Sequence, residues 1–222
     1  MPRSKLLIAV IAGQHEEVKL SLTVSLLNLQ VSLMQSDIET HLRVCTLNEA
    51  LELADRMDAD LFAAGPCIGV DPRFVIDALD QPHQVVAAVF PTGVSWDRVR
   101  ASGNSGSGAD GEPLQHRANE YSATPVPRPA VNGYVPALGA ARLDCVVIKR
   151  GVTADLRARN PEATRGGRYA YESVDAAGRV MQPHETFCEM WQKPVWLDIK
   201  HPATNMTPGV FCGCVGRRHV LR

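Results

Sequence analysis

The stretch DLFAAGPCIGVDP, residues 60 to 72, places a thiol where α/β enzymes often hold charged groups. A short apolar run ends at Ala64, and Gly65, Pro66 and Cys67 separate it from the start of a helix. Glycine and proline carry no side-chain ligand, and a thiolate suits a soft metal rather than Mg²⁺. The residue types at this strand end therefore do not favour a hard divalent cation held by carboxylates.

Six cysteines offer a second kind of chemistry, at positions 45, 67, 145, 188, 212 and 214. They contain no paired CxxC and are sparser than in a secreted disulfide scaffold, so we predict reduced and mostly buried thiols. Thiolate and imidazole ligands suit Zn²⁺, and one hypothesis is that Cys67 and His184 converge with Cys212 or Cys214 on such a metal. Structural packing is the competing interpretation.

Other catalytic signatures are absent from the sequence. Gly13 stands alone after the first apolar run, without the glycines of a Rossmann dinucleotide fingerprint or a P-loop. Neither a GxSxG elbow nor an HExxH pair occurs. The candidate chemistry must therefore be argued from the fold that positions the residues.

Composition and charge limit the classes of partner. The 222 residues suffice for one well-buried domain. The 23 lysines and arginines nearly balance 24 aspartates and glutamates, which disfavours nucleic acid and anionic membranes as partners. No apolar run approaches the roughly 20 residues of a transmembrane segment. The first apolar run, residues 5–12, leads into charge rather than a cleavage site, so we interpret it as a strand and expect a cytoplasmic protein.

Apolar periodicity predicts an α/β fold with a largely parallel sheet flanked by helices. Strands are expected at residues 5–12, 41–47, 60–64, 84–90, 143–150 and 194–199. Helices are expected at residues 16–35, 48–57, 73–80, 151–160 and 183–192. Asn48 is the predicted cap of the second helix, and Asp71 followed by Pro72 begins the third.

The first predicted helix is amphipathic. Its apolar face is expected to consist of Val18, Leu22, Leu26, Leu29 and Leu33. Glu16 and Glu17 are expected in its first turn, where the helix dipole favours acidic side chains.

A pocket is expected at the carboxyl edge of the sheet. Open α/β sheets bind ligands beyond the carboxyl ends of their strands, so the turns after Ala12, Cys45, Ala64 and Phe90 should border it. Residues 101–136 are rich in Gly, Ser and Pro and lack periodicity. We predict that they form a flexible loop within a single domain spanning residues 1–222.

The order of these segments resembles that of the bacterial and viral glycosyltransferase-like proteins of the GT-A fold. The matching segments are SLLNLQVSL, Asn48, DLFAAGPCIGVDPRFVIDAL, VVAAVFP followed by Trp96, CVVIKR, FCEMW and VWLDI. The resemblance implies a single GT-A-like domain that binds a nucleotide or a nucleotide-diphospho-sugar. The nucleotide would be UDP or GDP. The resemblance also implies a saccharide acceptor.

In such proteins the strand before Gly65 leads into an Asp-x-Asp motif that holds Mn²⁺ or Mg²⁺ against the diphosphate. Gly65, Pro66 and Cys67 stand in its place, so the Mn²⁺ or Mg²⁺ site is predicted to be lost. The positions that the resemblance assigns to nucleotide binding are Ala12, Gly13, Gln14, Asn48, Gly65, Pro66 and Cys67.

The residues before FCEMW supply a general base toward the acceptor hydroxyl in such proteins, which makes His184 or Glu185 the candidate here. The alternative is that both are solvated residues at the start of a helix. In such proteins a late histidine can complete the ligand shell of the metal. Asn205 stands at the corresponding position in this chain, and His201 lies four residues before it.

Two further positions depart from the pattern, since Thr46 replaces an expected arginine and Asp144 an expected glycine. A leaving diphosphate needs its charge neutralised, and lysine or arginine can do this without a metal. The candidate cations are Arg142, Lys149, Arg150, Arg165, Arg168 and Lys200.

Three interpretations follow. The chain is a glycosyltransferase that works without the metal motif, or an inactive homologue that serves as a binding or scaffold module. In the third, the segments mark only a common α/β architecture, because fold does not fix function. An open cleft lined by Arg and Lys would favour the first, and a closed apolar pocket the second.

Overall fold

A seven-stranded sheet forms the centre of the computed structural model, which describes residues 4–12, 18–34, 38–94 and 119–206. The strands are β1 (Ser4–Ile11), β2 (Ile38–Cys45), β3 (Asp60–Ala64), β4 (Ile68–Gly69), β5 (Val85–Ala88), β6 (Pro91–Val94), β7 (Asn119–Tyr121), β8 (Tyr134–Pro136), β9 (Cys145–Ile148), β10 (Ser173–Val174), β11 (Val180–Met181), β12 (Trp196–Asp198) and β13 (Thr204–Asn205). The order in the sheet is β2-β1-β3-β9-β5-β12-β8.

Five strands of this sheet run in one direction and two oppose them. β1 is parallel to β2 and β3, and β12 is parallel to β5. β9 lies between β3 and β5 and is antiparallel to both, and β8 is antiparallel to β12. The predicted largely parallel sheet is confirmed for five strands, but the prediction misses the reversal of β9. A continuous apolar run fits a strand buried on both faces whichever way it points.

Within the described residues, five helices cover the two faces of the sheet. They are α1 (Leu20–Leu33), α2 (Leu47–Met57), α3 (Pro72–Asp80), α4 (Val152–Arg159) and α5 (Pro183–Trp191). Alternate residues of β1 point to opposite faces, so Leu7 packs in one core with α2, α4 and α5. Leu6 and Ile8 pack in the other core with α1 and α3. The result is one α/β domain of three layers. Among the described residues, no helix is long and apolar enough to cross a membrane.

The caps of two helices correct the sequence prediction. α2 begins one residue earlier than expected, because Thr46 and Glu49 form a capping box in which each side chain bonds to the other residue's backbone N–H. Asn48 is therefore inside the helix and does not cap it. α1 begins at Leu20 after Lys19, and Val18 lies outside it with 41% of its surface exposed. Its predicted first-turn residues, Glu16 and Glu17, lie outside the described residues.

Residues 119–136 contain two strands where the sequence predicts a flexible loop. β7 pairs with β6, and β8 forms the last strand of the main sheet. Tyr134 and Val135 on β8 are 0% and 1% exposed, so this part is held in the core. Three-residue strands between prolines are too short to show a periodicity, which is why the sequence pattern misses them. Residues 101–118 of the predicted loop lie outside the described residues.

Asp71 caps α3 as predicted and fixes the chain that follows the Gly65-Pro66-Cys67 turn. Its carboxylate accepts a hydrogen bond from the Arg73 backbone N–H at 2.9 Å and pairs with the Arg73 guanidinium at 2.6 Å. These bonds, chiefly the one from the guanidinium, lower the pKa of Asp71.

We predict that Asp71→Ala lowers the free energy of unfolding by about 1 kcal/mol, the usual loss on removing such a cap. Asp71→Asn, which keeps an acceptor for the Arg73 N–H, should lose less. Because the pKa of Asp71 is lowered on folding, the advantage of the wild type over Asp71→Asn is present at neutral pH and disappears as pH falls through that pKa. Urea unfolding at a series of pH values measures both effects. Equal stability of Asp71→Ala and wild type at neutral pH would contradict the assigned cap.

Candidate functional site

A cleft of about 830 Å³ lies at the carboxyl edge of β1, β3 and β5. Three of the four predicted turns line it, through Thr46 after Cys45, Gly65 after Ala64 and Thr92 after Phe90, and Ala12 at the end of the first apolar run lines it as well. The prediction of a pocket at this edge is therefore confirmed. Gly13 and Gln14, which belong to the first of these turns, lie outside the described residues.

The segment that leads into the reversed strand β9 supplies the charged side of the cleft. Because β9 is antiparallel, it begins at the edge where β3 and β5 end, and Arg142 and Asp144, just before it, line the cleft. The Gly65 N–H donates a hydrogen bond to the Asp144 carbonyl at 2.6 Å. A Cβ on Gly65 would lie 3.3 Å from the Asp144 Cβ, closer than most contacts of that kind. Glycine at position 65 thus permits β3 and β9 to meet at the cleft floor.

Arg142 and Asp144 form an ion pair in the cleft. The Arg142 Nε lies 2.9 Å from the Asp144 Oδ2, and the two side chains are 49% and 36% exposed. Exposed pairs of this kind contribute little to stability, so the guanidinium can exchange partners at small cost. The pair gives this wall one positive and one negative group, both accessible to a ligand.

His184 adds an imidazole to the same cleft from the first turn of α5. Burial lowers the pKa of His184, and the nearby positive charge of Arg142 acts in the same direction. The negative charge of Asp144 opposes them and raises it. The ring makes no hydrogen bond to any residue that the structure describes, so a ligand can reach it without displacing a protein partner. The lowered pKa means that the imidazole is predominantly neutral near pH 7.

Glu185, the other candidate base, lines the cleft but is already engaged. Its Oε2 accepts a hydrogen bond from the Gln182 backbone N–H at 2.8 Å, as part of the α5 capping box. Its Oε1 accepts a bond from the Arg179 guanidinium at 2.6 Å, and these contacts lower the pKa of Glu185. A carboxylate stabilised in its charged form is a weak base. Of the two candidates, His184 is better placed to accept a proton.

The turn at Gly65, Pro66 and Cys67 is held by backbone bonds on both sides. The Pro66 carbonyl accepts a bond from the Lys19 N–H, and the Cys67 carbonyl accepts one from the Met206 N–H, both at 2.9 Å. All three turn residues line the cleft, as the resemblance implies for nucleotide-binding positions. Their contact with a nucleotide stays a prediction.

Asn48, by contrast, does not line the cleft; its side chain bonds to the backbone of residues 167–170. Its Oδ1 accepts bonds from the N–H groups of Tyr169 and Ala170 at 2.7 and 3.0 Å. Its Nδ2 donates to the Gly167 carbonyl at 3.2 Å. The side chain thus ties α2 to a distant segment.

Among the described residues, Arg142 is the one of the six candidate cations that lines the cleft. Lys149 and Arg150 follow β9 and therefore lie at the opposite edge of the sheet, where the Lys149 Nζ donates to the Leu79 carbonyl. Of the other three cations, Arg165 contacts Glu162, Arg168 lies over the Tyr171 ring and Lys200 lies over the Tyr134 ring.

The described donors do not fit an Mn²⁺ or Mg²⁺ site. Asp144 is paired with Arg142, and Glu185 is paired with Arg179 and capping a helix. Hard cations require several oxygen ligands at once. In the described ranges, no group of three or more His, Cys, Asp or Glu side chains is positioned to hold a metal.

The structure describes only some residues of the zinc hypothesis, and it places the two late residues near the expected metal shell, His201 and Asn205, in different surroundings. Cys212 and Cys214 lie outside the described residues, and the four described cysteines are free, with Cys145 buried and the others partly exposed. Asn205 lines the cleft and donates a bond to the Pro91 carbonyl at 2.9 Å. His201 instead pairs with the buried Asp198 at 2.9 Å.

Two polar residues of the cleft are missing from the sequence predictions, Thr92 and Gln182. Thr92 lies on β6 within the stretch that shows no periodicity, and no signal marks it. Gln182 could have been found from the Glu185 that follows it three residues later, which is the spacing of a capping box.

Comparison with known proteins gives no relative of this chain. No protein-family model matches it, and no curated protein or solved structure does. The site must therefore be interpreted from its own geometry.

We predict that Asn48→Ala lowers the free energy of unfolding by about 1 to 3 kcal/mol, because it leaves the backbone N–H groups of the buried Tyr169 and Ala170 without their partner. Asn28→Ala is the matched control, an exposed asparagine inside helix α1, and should change stability by less than about 0.5 kcal/mol. Chemical denaturation measures both. Equal losses in the two variants would contradict the structural role assigned to Asn48.

Proposed function

We propose that this protein is a GT-A-like glycosyltransferase that binds a nucleoside diphosphate sugar in the cleft and transfers the sugar without a divalent cation. The observation that carries the proposal is the meeting of Arg142 and His184 with the Gly65-Pro66-Cys67 turn in one open cleft. The central sheet flanked by helices agrees with the architecture that the resemblance implies.

Arg142 is assigned to the diphosphate. A guanidinium presents paired N–H donors that match two phosphate oxygens, and it stays charged at any physiological pH. Neutralising the charge that develops on a leaving diphosphate is the largest electrostatic demand of such a transfer. Since its contact with Asp144 is exposed, Arg142 can turn to a phosphate without leaving a buried carboxylate unpaired.

His184 is assigned as the general base. In the proposed step, the acceptor hydroxyl gives its proton to the neutral imidazole, and its oxygen forms the new bond to the anomeric carbon. The bond from that carbon to the diphosphate breaks, and the nucleoside diphosphate leaves with the electron pair. A histidine whose pKa lies below its ordinary value is already deprotonated at pH 7 and is ready for this role.

One observation favours the second candidate function, an inactive homologue that keeps the fold as a binding module. Asp144 places a negative charge 2.9 Å from the guanidinium that would face the diphosphate. A like-charged ligand group meets repulsion from that carboxylate, which lowers affinity and transition-state stabilisation together. Nucleotide binding without turnover is the result expected of this alternative.

Calorimetric titration with UDP, GDP and their sugar conjugates, once with Mn²⁺ and once with EDTA, tests the proposal. We predict the same affinity in both conditions. Arg142→Gln should weaken nucleotide binding by about tenfold or more, since a charge-assisted contact contributes roughly 1.5 to 3 kcal/mol. Arg73→Gln is the matched control, because it removes another exposed arginine paired with an aspartate two positions away, outside the cleft.

The outcomes separate the interpretations. Affinity that needs Mn²⁺ contradicts a cation-independent site. Binding in both conditions with no release of nucleoside diphosphate, even with saccharide acceptors present, favours the inactive binding module. If no nucleotide or nucleotide sugar binds, both the transferase and the nucleotide-binding module are contradicted. This result supports the interpretation that the chain shares only an α/β architecture with such proteins.

We predict that the His184 imidazole titrates below its ordinary pKa and that Asp144→Asn lowers the pKa further, because it removes a negative charge that stabilises the imidazolium. Proton NMR, with His184→Gln to assign the resonance, measures both. Transfer should accordingly fall as pH drops through the wild-type pKa, and the fall should move to lower pH in Asp144→Asn. A higher pKa in Asp144→Asn would contradict the assigned geometry.

A further inference from the structure

Helix α1 is apolar on the side that faces away from the sheet as well as on the side that faces it. Its inner face packs in the core through Leu22, Leu26, Leu29 and Leu33, all less than 10% exposed. Its outer stripe is formed by Leu20, Val24, Leu27, Val31 and the following Met34, which are 76%, 46%, 57%, 66% and 80% exposed. A surface helix ordinarily presents polar side chains to water, so this stripe requires an explanation.

The outer stripe has the spacing of a helix–helix seam. Its members follow one another at intervals of four, three, four and three residues. This is the spacing at which apolar residues of a coiled coil meet a second helix. Scattered exposed apolar residues would carry no such regularity, and singly they are common on protein surfaces.

No charge and two internally bonded hydroxyls accompany the stripe on α1. α1 contains no charged residue. The hydroxyl of Ser32 donates to the Asn28 carbonyl at 2.8 Å, and that of Thr23 donates to the Lys19 carbonyl at 3.5 Å. Hydroxyls that bond back to their own helix lose little when water is removed.

Two further exposed apolar side chains lie on the edge strand β2. Leu42 and Val44 are in register with Ile8 and Val10 of β1, which pack in the core under α1. They therefore point to the α1 side of the sheet, and they are 43% and 64% exposed. The α1 side of the molecule therefore has exposed apolar side chains on the strand edge as well as on the helix.

We propose that the outer stripe of α1 binds a second copy of the chain, with the two α1 helices packed antiparallel across a two-fold axis near Leu27. The stripe is nearly symmetric about Leu27, so Leu27 meets its own counterpart and Val24 lies opposite Val31. An uncharged stripe pairs with itself without like-charge repulsion, and antiparallel packing opposes the two helix dipoles.

The area of the stripe reaches the lower bound of what a stable dimer needs. The five stripe residues expose on the order of 600 Å² on each copy, so a pair that covers all of this surface buries about 1,200 Å². A membrane-surface helix would instead be expected to carry basic residues on its polar side, and α1 has none.

Sedimentation velocity of the full chain over a range of micromolar concentrations tests the proposal. The wild type is expected to be dimeric. Val31→Glu should weaken the dimer by about a hundredfold or more, because each copy loses a buried valine and gains a charge facing the partner. Val174→Glu is the matched control, since Val174 is likewise 66% exposed but lies on β10, away from α1, and this variant should remain dimeric.

Circular dichroism of the two variants shows whether each is folded, and both substitutions are at exposed positions where folding is expected to persist. A wild type that stays monomeric at the highest concentration overturns the proposal. A dimer that Val31→Glu and Val174→Glu leave equally intact also overturns it. A monomer that binds neutral phosphatidylcholine vesicles, and loses this binding with Val31→Glu, assigns the outer stripe to lipid and overturns the second copy as its partner.

Discussion

The reversal of β9 is the constraint on which the candidate site depends. A strand inserted antiparallel between β3 and β5 completes the hydrogen bonds of both neighbours, and it presents its first residues at the edge where they present their last. The Gly65–Asp144 backbone bond fixes the point of contact. Without the reversal, Arg142 and Asp144 would lie at the far edge of the sheet, and the cleft would keep His184 without its charged neighbours.

These neighbours make the chemistry of the cleft a coupled system. Asp144 holds the Arg142 guanidinium, and its charge also raises the pKa of His184, against the effects of burial and of Arg142. A ligand anion that draws Arg142 away from Asp144 would bring a second negative charge near the imidazole and favour its protonated form. Binding of a diphosphate and protonation of the imidazole should therefore support each other. The His184 imidazole must be neutral at the start of the proposed transfer, so it works best as a base where diphosphate binding raises its pKa only modestly.

The sequence predicts the features that depend on neighbouring residues. Apolar runs locate the long strands and the five helices of the described residues, and the Asp71-Pro72 pair locates the start of α3, because each of these signals acts within one turn or strand. The pocket follows from the carboxyl ends of those strands. Strand direction and distant side-chain partners are not encoded locally. Asn48 has the residue type of a helix cap, but its partners lie 119 to 122 residues further along the chain.

The turn after β3 has a fixed shape although it carries no charged side chain. The Pro66 and Cys67 carbonyls accept bonds from Lys19 at the start of α1 and from Met206 after β13, so the turn is a fixed wall. Such a wall can exclude water and position a ligand by contact, but it offers neither charge nor a hard ligand. Recognition of an anion in this cleft must then come from the β9 side, where Arg142 lies. The turn after β3 is neutral, and the positive group of the cleft, Arg142, lies in the segment that leads into β9.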